Sequence, residues 1–128
     1  MTNEREQRFI DALHTYEESG DLDTLIGLYA EDGEVDNVNL PQPLKGPDGV
    51  RRFWEEYRSL FAEIRSDFSK VIVQGDEAVL EWTGRGKFAA SGEAFEYDGV
   101  SLLTYLDGKI TSHRGYYDQH ALTERVRV

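Results

Sequence analysis

The hydrophobic pattern changes period once, near residue 64, and that switch limits what the chain can fold into. Before it, apolar residues recur at helical spacing in three stripes. The first is Phe9, Ile10, Leu13 and Tyr16, and the second is Leu22, Leu25, Ile26, Leu28 and Tyr29. The third, Val50, Phe53, Trp54, Tyr57, Leu60 and Phe61, is the cleanest. After the switch the period is two, through Ile64–Gln74, Ala78–Phe88, Ala94–Leu106 and Lys109–Asp118. Asp107-Gly108 joins the last two runs, and a two-residue hairpin needs positive φ at both central positions, which Asp-Gly tolerates. Helix boundaries are also marked: Asn3 with Glu6 as a capping box, Gly20 as a stop, Asp21 as a second cap with Gly33 as the end, and Pro47 at the first position of the third helix. A short strand, Glu34–Val38, leads into a loop holding Pro41 and Pro43. Three helices followed by an antiparallel meander predict an α+β domain over residues 1–128, with its core at about 6–122 and the helices packed on one face of a curved sheet.

Composition removes several function classes. A chain of 128 residues buries one core of ordinary size. With no cysteine, disulfides, thiolate zinc sites and thiol nucleophiles are excluded. A net charge of −11 argues against nucleic acid and against an anionic membrane surface. The charge is lopsided: residues 1–36 hold 11 acids and 2 bases, against 14 and 12 in the remainder. No run approaches the ~18 apolar residues of a membrane span, and the start lacks a basic-then-apolar leader, so a cytoplasmic protein is expected. His14 and His120 have no second histidine at metal-ligand spacing, and there is no Gly-rich phosphate loop or Gly-x-Ser-x-Gly elbow. Neither a metal nor a cofactor is expected.

Several segments carry a resemblance: Gly20-Asp21-Leu22-Asp23-Thr24-Leu25, Leu28-Tyr29-Ala30-Glu31-Asp32-Gly33, Lys45-Gly46-Pro47-Asp48-Gly49-Val50 and Asp107 through Asp118. With this order of elements, the chain resembles the SnoaL-like branch of the nuclear transport factor 2-like superfamily, which includes ketosteroid isomerase, limonene epoxide hydrolase and scytalone dehydratase. The resemblance implies a cone-shaped antiparallel sheet wrapped by three N-terminal helices, a pocket inside the cone, and a homodimer formed through the outer sheet face. It also implies a small-molecule ligand. The motifs are specific for the fold and weak for any one reaction.

Carried over position by position, the superfamily's acid–base sets are missing. The ketosteroid isomerase base position falls on Asn37, its tyrosine on Leu13 and its second aspartate on Ser101. The epoxide hydrolase arginine falls on Trp82 and its two aspartates on Gly84 and Gly115, while its water-orienting asparagine matches Asn37. The cyclase base also falls on Gly115. Strand alternation together with the family register turns Trp82, Gly84, Thr111, His113, Gly115 and Tyr117 inward, and Arg114, Tyr116 and Asp118 outward to dimer contacts or an ion-pair network. Gly84 opposite Gly115 would leave room for a ligand ring.

His113 is the one inward group whose ordinary pKa suits proton transfer near neutrality. It reads either as a general acid/base held by Asn37, Ser101 or Tyr57, or as a buried, hydrogen-bonded histidine. Asp36 becomes the base if the register slips by one residue, and is otherwise a solvated acid. Trp54, Tyr57, Trp82, Phe88, Tyr97 and Tyr117 can wall a flat ligand, with Trp54 and Tyr57 equally readable as core. The expected ligand-binding set is Asn37, Trp54, Tyr57, Trp82, Ser101 and Tyr117. The expected function is binding of an apolar or aromatic small molecule, with cofactor-free isomerisation, cyclisation, dehydration or hydrolysis as the possible chemistry. The competing classes are a non-catalytic ligand-binding or dimerisation module and a partner-binding scaffold.

Overall fold

In the computed structural model, which describes residues 3–118, the first apolar stripe forms α1 (Glu4–Ser19). Phe9, Ile10, Leu13 and Tyr16 are buried along it, and Gly20 closes it with its N–H donating to the Tyr16 carbonyl. Asn3 stands at the N-cap without a side-chain cap bond, so the expected capping box does not form. Glu6 is buried instead, with Arg5 Nε 3.1 Å from its Oε2.

The second helix is a single turn, α2 (Asp23–Ile26), where the sequence predicts one running on to Gly33. The Ile110 N–H donates to the Leu28 carbonyl at 2.9 Å, and the chain leaves as strand β1 (Tyr29–Asn37). Pairing with the last strand overrides the local helical pattern. β2 (Leu44–Lys45), inside the segment read as a loop, adds a short edge to β1. α3 (Gly46–Ser59) follows with Pro47 in its first turn, burying Val50 and Trp54.

The four long strands are β3 (Phe61–Gln74), β4 (Glu77–Phe88), β5 (Ala94–Leu106) and β6 (Lys109–Tyr117). The turn into β6 has Asp107 at φ 52° and Gly108 at φ 81°, the two positive values that the Asp-Gly pair predicts. The sheet order is β2-β1-β6-β5-β4-β3, antiparallel except for the parallel β1–β6 pair. This is the α+β arrangement expected from the period switch, with the helices on the concave face.

Register decides what faces inward. Val35, His113, Leu103 and Ala78 form one cross-strand row, and Asn37, Gly115, Ser101 and Leu80 form the next. An irregularity between Thr104 and Tyr105 lets Ile110 take the buried position, so Thr111 does not follow the inward alternation expected of it. Its hydroxyl donates to the Thr104 carbonyl at 3.2 Å. The main core joins Phe9, Leu25, Val35, Val50, Leu80, Leu103 and Ile110. A second cluster, Phe61, Ile64, Phe88, Phe95 and Tyr97, lies at the other end of the sheet.

Gly86 is required by a close approach, because a Cβ there would run into the Glu63 carbonyl of β3. At Gly115 the nearest atom to such a Cβ is Asn37 Cβ, at 3.7 Å. Gly86→Ala should therefore lower unfolding free energy by about 2 kcal/mol in urea titration, while Gly115→Ala should leave it nearly unchanged.

Candidate active site

A cavity of about 260 Å³ lies between the concave sheet face and helices α1 and α3. His113, Asn37, Trp54, Tyr57, Trp82, Ser101 and Tyr117 all line it, together with Tyr97 and apolar side chains such as Phe9, Phe53 and Phe68. Phe88 packs in the second core cluster, away from this wall.

One hydrogen-bonded chain links four cavity-lining side chains through Tyr29 of β1, which lies behind the wall. The Trp54 Nε1–H on α3 donates to the Tyr29 hydroxyl at 3.2 Å, and that hydroxyl lies 2.9 Å from His113 Nδ1. The chain holds one proton more than its contacts can use, on either Tyr29 or Ser101. Tyr29 lies outside the cavity lining, where a spare proton would be buried unpaired, so it donates to Nδ1 and Nε2 carries the imidazole proton. Nε2 faces the Ser101 hydroxyl at 3.4 Å, and the Trp82 Nε1–H donates to the same oxygen at 3.0 Å. Ser101 Oγ thus receives two N–H donors, so its own proton is left to point into the cavity.

His113 is only 3% exposed, with the Phe9, Phe53, Trp54 and Tyr29 rings around it. Burial among them pushes its pKa down from 6.5 to about 4, so it is neutral near pH 7. The expected partners were Asn37, Ser101 or Tyr57. Ser101 is one of them, and Tyr29 replaces the other two. Tyr29 escapes a sequence reading because the stripe it completes looks helical. At the mouth, Asn37 Oδ1 accepts the Asn39 N–H at 2.8 Å, and Asn39 Nδ2 donates to the Tyr117 hydroxyl at 2.6 Å.

A second polar group adjoins the cavity from α1. Glu17 is 4% exposed and holds three donors. Its Oε1 accepts the Ser66 N–H at 2.9 Å, and its Oε2 accepts the Ser66 hydroxyl at 2.6 Å and the Tyr57 hydroxyl at 3.0 Å. Burial raises its pKa against the lowering effect of those bonds. Ser66 and Tyr57 both line the cavity. The signal for Glu17 was available, since it sits eight residues after Phe9 on the buried stripe of α1.

Two expectations are corrected. Asp36 is not in the cavity wall: strand alternation sends it to the opposite face from Val35 and Asn37, with Arg114 Nη2 4.0 Å from its Oδ2. Gly84 leaves no room for a ligand ring, because a Cβ there would lie 2.8 Å from Tyr97 Cε1, and the Tyr97 ring fills the space. Gly115 alone of that pair lines the cavity. Arg114 reaches over the Tyr116 ring at 5.6 Å on the outer face, and His120 lies outside the described residues. Among the described residues, no cluster of three His, Asp or Glu side chains is arranged to hold a metal, and no helix is long and apolar enough to cross a membrane.

The sequence pattern of the SnoaL-like domain matches residues 7–113. The chain belongs to the SnoaL-like domain family. Among solved structures, this SnoaL-like chain resembles TerC co-crystallised with polyporic acid, at 20% identity and TM-score 0.82, over 98% of this chain and 97% of that one. It also resembles a putative isomerase from Rhodopseudomonas palustris, at 17% identity and TM-score 0.86, over 99% and 98%. A putative SnoaL-like polyketide cyclase from Jannaschia matches at 18% identity and TM-score 0.77, over 91% and 90%. Identities this low establish the shared fold. No curated protein matches the sequence significantly.

The buried imidazole has a thermodynamic signature. Below pH 6.5 the unfolded chain binds a proton that folded His113 refuses until about pH 4, so acid favours the unfolded chain in that window. Unfolding free energy should therefore fall as pH drops from 6.5 to about 4. His113→Gln should lose that component, seen as the difference between the two pH–stability curves.

Proposed function

We propose that this SnoaL-like protein binds a flat aromatic molecule bearing a carbonyl-type oxygen and polarises that oxygen with the Ser101 hydroxyl. One observation carries the reading: Ser101 Oγ is occupied by the Trp82 and His113 donors, so its own proton is left for a ligand. The aromatic walls suit a flat apolar body, and an oriented donor suits an oxygen that gains negative charge. The co-crystal of TerC with polyporic acid and the naming of the Jannaschia protein as a polyketide cyclase support an organic ligand of this class.

His113 then works as a neutral polarising group. Its lowered pKa makes it a weak base, and both ring nitrogens are engaged. The chemistry this permits is the electrophilic half of a cofactor-free isomerisation or cyclisation, in which a carbonyl is drawn towards its enolate form. A second reading, a ligand-binding module without turnover, is favoured by the loss of carboxylates at Asn37, Ser101, Gly84 and Gly115.

Fluorenone and fluorene test the reading, since they differ only in the carbonyl. Fluorenone should quench tryptophan fluorescence saturably, and Ser101→Ala should weaken it about tenfold while leaving fluorene unchanged. Equal losses for both ligands would overturn the role given to Ser101.

A homodimer through the outer sheet face belongs to the same proposal. Ile72, Val79 and Leu102 align across three strands there, beside Val100 and Tyr116, and Ile72, Val79 and Tyr116 are exposed. Light scattering should give twice the monomer mass, and Val79→Glu should halve it without loss of helical signal.

A further inference from the structure

We propose that Glu17, Tyr57 and Ser66 form a hydrogen-bond-accepting pole of the cavity, which selects ligands carrying an aromatic hydroxyl. The proposal rests on the reading above that the cavity holds an aromatic ligand, and adds a second requirement to it.

The argument is again a count of protons. An ionised carboxylate only accepts, so the single protons of Tyr57 and Ser66 are both drawn to Glu17 Oε2, at 3.0 and 2.6 Å. Neither hydroxyl then has a proton for the cavity that both residues line, and what they present is oxygen lone pairs. A ligand hydroxyl satisfies them, whereas an ether oxygen at the same place meets only another acceptor. The carboxylate is held on both oxygens, because Oε1 takes the Ser66 N–H at 2.9 Å. His14 fixes the same segment from α1, its Nε2–H donating to the Ser66 carbonyl at 2.6 Å. Ser101 has the reverse sense, with donors on its oxygen and its proton outward. The two poles together select a flat molecule with an acceptor on one part and a hydroxyl on another.

Protonation inverts the second pole. A neutral Glu17 donates to one of the two hydroxyl oxygens and releases that group's proton to the cavity. The titratable groups facing Glu17 are His14 on its own helix, Tyr57 on α3 and Tyr97 on β5, with uncharged Ser66 on β3. Of these, His14 opposes the inversion by favouring the ionised carboxylate, and the two tyrosines stay neutral because burial raises their pKa values.

Calorimetric titration with naphthol and its methyl ether decides the matter: the ether replaces the hydroxyl proton with a methyl group, and the pH dependence and the Glu17→Gln variant separate loss of the proton from added bulk. The full chain at neutral pH should bind naphthol about tenfold more tightly than the ether. That preference should shrink as acid protonates Glu17. Glu17→Gln, whose amide donates to the two hydroxyls and frees their protons, should bring the ratio close to one, and Tyr57→Phe should reduce it. Circular dichroism checks that each variant is folded, and the wild-type ratio with its pH dependence stands without them. Equal binding of the two probes by wild type overturns the accepting pole and leaves the aromatic-ligand reading intact. A folded Glu17→Gln that keeps the preference also overturns it, reducing Glu17 to a clasp between α1 and β3. Binding of neither probe overturns the ligand reading and this pole with it.

Discussion

The parallel pairing of β1 with β6 is the constraint on which the site depends. It begins where the Ile110 N–H meets the Leu28 carbonyl, and it sets Val35 beside His113 and Asn37 beside Gly115. From that alignment the Tyr29 hydroxyl comes to 2.9 Å from His113 Nδ1. Without Tyr29, the imidazole would have an unpaired nitrogen among Phe9, Phe53 and Trp54, at a cost of roughly 1–3 kcal/mol. The alignment is not uniform: β1 shifts register between Tyr29 and Glu34, and the β5–β6 pair shifts between Thr104 and Tyr105. The second of these irregularities brings Ile110 and Tyr105 into the main core.

The long strands and α3 were legible because each carried a local signal that tertiary context opposed only at one boundary: Phe61, read as the end of the α3 stripe, opens β3 opposite Phe88. β5 and the Asp107-Gly108 turn follow the alternation and the turn chemistry directly. α2 was not, because Leu22, Leu25, Ile26, Leu28 and Tyr29 satisfy a helical face and a strand start equally well, and a ladder partner some eighty residues away decides between them. The same ambiguity hid Tyr29. For the cavity, alternation and family register sufficed to place Trp82, His113, Gly115 and Tyr117 in the wall. They could not show that Tyr97 would fold over Gly84, since that depends on a side-chain direction rather than on a period.

The acidic N-terminal third has a second meaning in the folded chain. Glu4, Asp11, Glu18, Asp21 and Asp23 are exposed, as a solvated helix face requires. Glu6 and Glu17 are not, and both fall on the stripe carrying Phe9, Leu13 and Tyr16. Burying a carboxylate is costly unless donors replace water. Glu17 has three such donors, two of them hydroxyls from cavity-lining residues. A charge count over residues 1–36 treats these acids alike, but helical spacing separates them.

Proton bookkeeping gives the cavity a direction that shape alone does not. Ser101 is saturated with donors and presents a proton; Tyr57 and Ser66 are committed to a carboxylate and present lone pairs. Between them the walls are mainly aromatic and aliphatic, so a ligand seated the wrong way round would set acceptor against acceptor and donor against donor. The neutrality of His113 is what sustains this polarity. A charged imidazolium would donate from both nitrogens, force Tyr29 to turn its proton elsewhere, and leave that proton unpaired in the core. The burial that makes His113 a poor base thus also preserves the direction of the chain from Trp54 to Ser101.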